Sequence, residues 1–166
     1  MRSHKKAFVF PVFIILFSLL LGSCGSGSYS DGISCSELSS AAKKSLNTES
    51  EYAEYDEDYL EFFFDGDTYH DDFSIIYTTD TNNIDEIGVF HAPDAHSARE
   101  LYEEAEDYIE DMREEQRAFI GSYAPEELPK LDGAKVRMFG NYVVYVIAEP
   151  SLIETALEEI ENVLKE

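Results

Sequence analysis

From residue 72 onward one order of apolar patterning occurs twice, and it narrows the fold more than any other feature of this 166-residue chain. Residues 73–79 alternate, with Phe73, Ile75 and Tyr77 on one side and Ser74 and Thr78 on the other. Residues 84–91 carry a second apolar run through Ile87, Val89 and Phe90. Between them lies Asp80-Thr81-Asn82-Asn83, whose asparagines tolerate the positive φ of tight hairpin turns. A helical stripe follows. Ala98, Leu101, Ala105, Tyr108, Ile109, Met112 and Phe119 recur at three- and four-residue steps and predict one helix over about 95–120. Asp94 is its expected N-cap and Gly121 its expected stop.

The same order then returns. Residues 134–139 and 142–148 read as strands joined by Gly140-Asn141, a two-residue turn of the Gly-first kind. Val143, Val144, Val146 and Ile147 leave few polar positions, which places the second of these strands inside a sheet. Leu152, Ile153, Ala156, Leu157, Ile160, Val163 and Leu164 mark a closing helix, opened by Pro150-Ser151 with Glu154 at capping-box spacing. Two hairpin–helix units predict an α+β fold: a four-stranded antiparallel sheet built from two ββα units, with both helices buried against one face. Hairpin pairing alone leaves the strand order open.

Ahead of this region, Ser34-Cys35-Ser36-Glu37 has capping-box spacing and starts a helix whose Leu38, Ala41, Ala42 and Leu46 share a face. Residues 49–58 are acidic and loosely patterned. Residues 58–64 are expected to form a short helix carrying Leu60, Phe63 and Phe64, in preference to a strand. These N-terminal helices are expected to pack on the sheet, giving one domain over residues 35–166.

The chain opens with Arg2, His4, Lys5 and Lys6, then an uncharged and mostly apolar run over residues 7–21, then Gly22-Ser23-Cys24. Residues 1–23 have the build of a signal peptide, and the apolar run is shorter than the roughly 20 residues of a membrane span. Small residues immediately before a cysteine are the ending of a lipoprotein leader. Cys24 is therefore the expected acylated residue, and an uncleaved anchor or a nearby cut without lipid are the alternatives. All three put the domain on the extracytoplasmic side. A diacylglyceryl cysteine meets the two-chain requirement for stable anchoring. Residues 24–34, rich in Gly and Ser, read as a tether with about 15 Å of reach.

The formal charge is −23, and the leader holds three of the basic residues and no acid, so the remainder is more negative still. Such a surface repels nucleic-acid phosphates and anionic headgroups and favours cations and basic protein surfaces. Eleven Phe and 11 Tyr supply apolar surface for a core despite that charge. With Cys24 acylated, Cys35 has no disulfide partner and reads as a small packed hydrophobe. There is no Gly-x-Ser-x-Gly elbow, no Ser-x-x-Lys, no phosphate loop and no dinucleotide glycine motif, and the expectation is a protein without catalytic activity or cofactor.

Two clusters could hold a metal. His91, Asp94 and His96, with His70 and Asp71 nearby, offer zinc donors, although Asp94 is already accounted for as a helix cap. Asp65, Asp67 and Asp71 resemble a calcium loop but fail the EF-hand spacing, with Tyr69, His70 and Ile76 at its fifth, sixth and twelfth positions. The acidic face of the long helix, with Glu103, Glu106, Glu110 and Glu114, is either a solvated surface or a docking face for a basic partner. Tyr52, Tyr55, Tyr59 and Tyr69 either serve recognition or pack the N-terminal helices on the sheet.

Asp85-Glu86-Ile87-Gly88-Val89-Phe90, the long acidic helix, Tyr123-Ala124-Pro125-Glu126-Glu127, Pro129-Lys130-Leu131 and Gly140-Asn141-Tyr142-Val143 follow one another in an order that, with the lipoprotein ending, resembles the domain of unknown function 4358 family of lipoproteins from Gram-positive bacteria. The resemblance spans about residues 35–166 and implies a cell-surface α+β domain, with no activity and no functional residues to carry over. The expectation is a lipid-anchored, non-enzymatic binding or accessory module on the outer face of the cell membrane. The alternative is an extracytoplasmic domain that binds calcium or zinc.

Overall fold

The computed structural model describes residues 29–46, 49–62 and 70–166. Helix α1, Cys35–Ser45, starts where the capping box predicts, with the Ser34 hydroxyl accepting from the Glu37 amide. Strand β1, Tyr52–Glu54, and a 3-10 turn, Glu57–Phe62, come next. Strands β2, Asp72–Thr78, and β3, Glu86–His91, form the first hairpin. Helix α2 spans Ala95–Asp111, and the short helices α3, Arg117–Tyr123, and α4, Leu128–Gly133, follow. Strands β4, Lys135–Phe139, and β5, Tyr142–Ile147, form the second hairpin, and helix α5, Pro150–Lys165, closes the chain.

The sheet has five strands in the order β1-β2-β3-β5-β4, all antiparallel, so the expected four is corrected by β1. That edge strand is three residues long and half-exposed, too short to show alternation in the sequence. The two hairpins meet through β3 and β5, which pair from Glu86↔Ile147 to His91↔Tyr142. Gly140 takes φ 61° in the β4–β5 turn, as a Gly-first turn requires.

The helices do not share one face. Helices α1 and α5 cover Ile87, Val89, Tyr142, Val144 and Val146, whereas α2 covers Ile75, Phe90, Val143, Tyr145 and Ile147 on the opposite face. The reason lies in β3 and β5, which carry apolar side chains on both sides. Neither face could remain in water, and three layers result.

Two local expectations also change. The long helix does not run unbroken to residue 120, because residues Met112–Gln116 form a π-turn between α2 and α3. A π-turn holds one more residue than an α-turn. The inward position after Met112 therefore passes from Phe119 to Ile120: Phe119 is 61% exposed and Ile120 is 6% exposed. Gly121 lies inside α3 rather than ending the helix. At α5 no capping box forms. Pro150 is the first helical residue, and Glu154 instead binds Lys135 at 2.5 Å and Arg137 at 3.0 Å across to β4. Among the described residues, no helix is long and apolar enough to cross a membrane.

Candidate functional site

On the α2 face, the alternation of β3 sends Glu86, Gly88 and Phe90 in one direction. Gly88 lies opposite Tyr145 of β5 in the ladder. A methyl at Gly88 would fall 2.1 Å from Cε1 of Tyr145. The missing side chain is thus what lets the Tyr145 ring lie over β3, and its hydroxyl reaches Glu86 two residues away, donating to Oε1 at 2.7 Å. Tyr108, from α2, donates to the same oxygen at 2.8 Å. Among the described residues Oε2 has no hydrogen-bond partner.

Glu86 is 8% exposed, and burial pushes its carboxyl above the usual range against the pull of the two tyrosine hydrogen bonds. Burial, then the neighbouring carboxylate, pushes both tyrosine hydroxyls up as well, so these phenols stay protonated and act as donors. The carboxyl lines an open cleft of ≈ 380 Å³ bounded, among the described residues, by Tyr55, Tyr108, Asp111, Met112, Glu115 and Gln116. Five of those come from the last turn of α2 and the π-turn, so the irregularity in the helix builds the cleft's rim. Tyr55 is held by Tyr77, ring centroids 4.1 Å apart.

Asp85, the residue before β3, is tied to α4 and β1 instead. Its Oδ1 accepts from Lys130 at 2.7 Å, and Lys130 also reaches Glu127 at 2.8 Å and Asn83 at 3.0 Å. Tyr52 of β1 donates to Asp85 Oδ2 at 3.2 Å. Burial opposes the Lys130 charge, but the hydrogen bonds to Asp85 and Glu127 outweigh it and raise its pKa overall.

A family model described as a domain of unknown function, DUF4358, matches residues 44–148. The chain belongs to the DUF4358 family. No curated protein and no solved structure matches it. The matched region holds the whole sheet, α2 and the cleft, while α5 and nearly all of α1 flank it.

Within the DUF4358 domain the zinc donors expected around His91 go separate ways. Asp94 caps α2, accepting from the His96 and Ser97 amides at 2.8 and 2.9 Å, and these bonds lower its pKa. His96 is exposed and lies 3.6 Å from Glu100. His91 meets Asp71 at 2.6 Å and sits against Tyr142 on the α1/α5 face. His70 packs on Phe73 and Phe90 on the opposite face. Among the described residues no group of three or more His, Cys, Asp or Glu side chains could hold a metal ion. Of the expected calcium ligands, Asp71 is the His91 partner, and Asp65 and Asp67 lie outside the described residues, as does Cys24.

Glu103, Glu106, Glu110 and Glu114 are all exposed, with Glu106 accepting from Tyr102 and Glu110 from Arg113. Cys35 is fully buried, its thiol pushed up chiefly by burial, as expected of a packed residue. Of the four N-terminal tyrosines, Tyr52 and Tyr55 pack partly buried against the sheet; Tyr69 and the Tyr59 side chain lie outside what is described. Reading the sequence alone missed Glu86, Tyr108 and Tyr145 as a set. The available signal was a carboxylate opening an otherwise apolar strand, with a glycine two residues on.

Proposed function

We propose that this DUF4358 domain is a non-enzymatic binding module, held through a lipid on Cys24 at the extracytoplasmic face of the cell membrane, and that it receives a group of its ligand or partner in the cleft above Glu86. The observation that carries the reading is Glu86 itself: a carboxyl 8% exposed, fixed by two tyrosines, at the wall of an open cleft. Folds bury such a group at a cost, and in a cleft it marks a binding site more readily than a packing role. The leader sequence and Cys24 support the address. The exposed row of Glu103, Glu106, Glu110 and Glu114 supports a basic partner.

The test is photo-crosslinking in cells from a benzoylphenylalanine at position 116, on the rim of the cleft, in the full-length chain. The comparison site is position 158, exposed on α5 across the sheet. A discrete membrane-fraction adduct from position 116 and none from 158 is the expected result. The Cys24→Ala chain should lose that adduct together with metabolic incorporation of an alkyne-tagged fatty acid. Equal adducts from both positions, or none, would defeat the reading.

A further inference from the structure

The geometry points to an organic cation, an alkylammonium or guanidinium group, as the ligand of the Glu86 cleft, an assignment that rests on the binding role proposed above. Both tyrosine hydroxyls donate to one oxygen of Glu86, and among the described residues the second oxygen is unpartnered while the residue lines the cleft. Glu86 is nine-tenths buried, and its second oxygen is left to donors that enter the cleft, water or ligand. The remaining lining decides the donor's charge. Asp111 and Glu115 stand on the rim, Gln116 beside them is neutral, and no lining residue among those described is basic. An anion is repelled by the Asp111 and Glu115 carboxylates, and an apolar ligand would leave the second Glu86 oxygen without a donor.

Tyr55 and Tyr108 supply aromatic walls, which attract organic cations, and Met112 supplies a polarizable surface for an alkyl chain. At ≈ 380 Å³ the cleft has room for a side-chain-sized group rather than a bare ion. A cation beside Glu86 favours the ionised form that burial alone disfavours, and the charge-assisted hydrogen bond it then makes in the cleft is stronger than one to the exposed acids. The cation can arrive as a free amine or as a Lys or Arg side chain of a protein, and the chemistry at Glu86 is the same.

The experiment is calorimetric titration of the full-length chain in detergent micelles with cadaverine, butylguanidine and an N-acetyl arginine methylamide, followed by the methyl signal of Met112. Saturable binding with a shift at Met112 is expected. Glu86→Gln, which keeps an acceptor for both tyrosines, should weaken it at least about tenfold, or 1.4 kcal/mol. Gln116→Trp, which fills the rim without touching Glu86, should also abolish it. Replacing Glu158 and Glu159, exposed on α5 across the sheet, by Gln should leave it within about twofold. A free amine that binds as tightly as the capped arginine identifies a small-molecule source; preference for the capped arginine identifies a protein side chain. Unchanged binding by Glu86→Gln, equal loss from the Glu158/Glu159 variant, or no Met112 shift overturns the assignment. If no cation binds while the position-116 adduct still forms, the cation assignment falls and the binding module stands; if neither is seen, both fall.

Discussion

Gly88 and Glu86 are separated by one residue and act as one device. The glycine clears a path for the Tyr145 ring, and the ring's hydroxyl holds the carboxyl. Gly88→Ala should therefore cost about 3 kcal/mol in urea unfolding, because the new methyl meets a ring anchored in the core rather than a flexible tip. Glu86→Gln should behave differently with pH. The unfolded chain releases the Glu86 proton near the ordinary value of 4.5, whereas burial makes the folded chain hold it to higher pH. Wild-type stability thus carries a term that is undiminished below the ordinary value and declines as pH rises toward the raised folded pKa. Unfolding measured from about pH 4 to about pH 8 should show the Gln variant gaining on wild type as pH rises, then levelling. Single residues differed in how plainly the sequence announced them. Asp94 and Ser34 sit at helix starts, where local spacing suffices. Glu86 becomes a site only through Tyr108 and Tyr145, which are 22 and 59 positions away, and no local pattern encodes that meeting.

The loop between β2 and β3 is tied to α4 by one ammonium. Lys130 bridges Asp85 and Glu127, with side chains 13%, 8% and 10% exposed, and Glu127 also accepts from the Ile84 amide at 3.1 Å. Lys130→Met should destabilise the domain by about 3 kcal/mol, since it leaves two nearby carboxylates buried without their counter-charge. Replacing Asp85 by Asn should cost less, because Lys130 keeps Glu127. Urea unfolding of the two variants side by side checks the order. The hairpins and the principal helices were readable from periodicity because each obeys a single repeat. The π-turn was not, because Met112 and Phe119 fit an uninterrupted α-stripe, and only packing shows that Ile120 is the buried one. Between α3 and β4 the chain forms a 3-10 turn, Pro125–Glu127, and α4, which no single apolar repeat announces.

As a whole the domain is a sheet with an independent apolar core on each side, wrapped in a strongly acidic surface. The full chain carries −23 although residues 1–23 are basic, so this body repels itself, and salt screens that repulsion over about 10 Å at 0.1 M. Raising sodium chloride from low ionic strength to about 0.5 M should lift Tm by about 4 °C, roughly 1 kcal/mol, in a calorimetric scan. The α+β class and the antiparallel pairing within each hairpin were legible from the chain. The assignment of helices to opposite faces was not, because β3 and β5 are apolar on both sides and the sequence does not say which helix takes which. The chain's entry into this body has a mechanical meaning. The Ser30 amide donates to the Leu164 carbonyl at 2.8 Å, Tyr29 reaches Glu161 at 2.9 Å, and Tyr142 donates to the Ile33 carbonyl at 2.7 Å. Tension applied at residue 29 is therefore taken up by α5 and by β5, through bonds on one side of the sheet. The cleft lies on the other side, off the load path, and a pull at residue 29 leaves its shape unchanged.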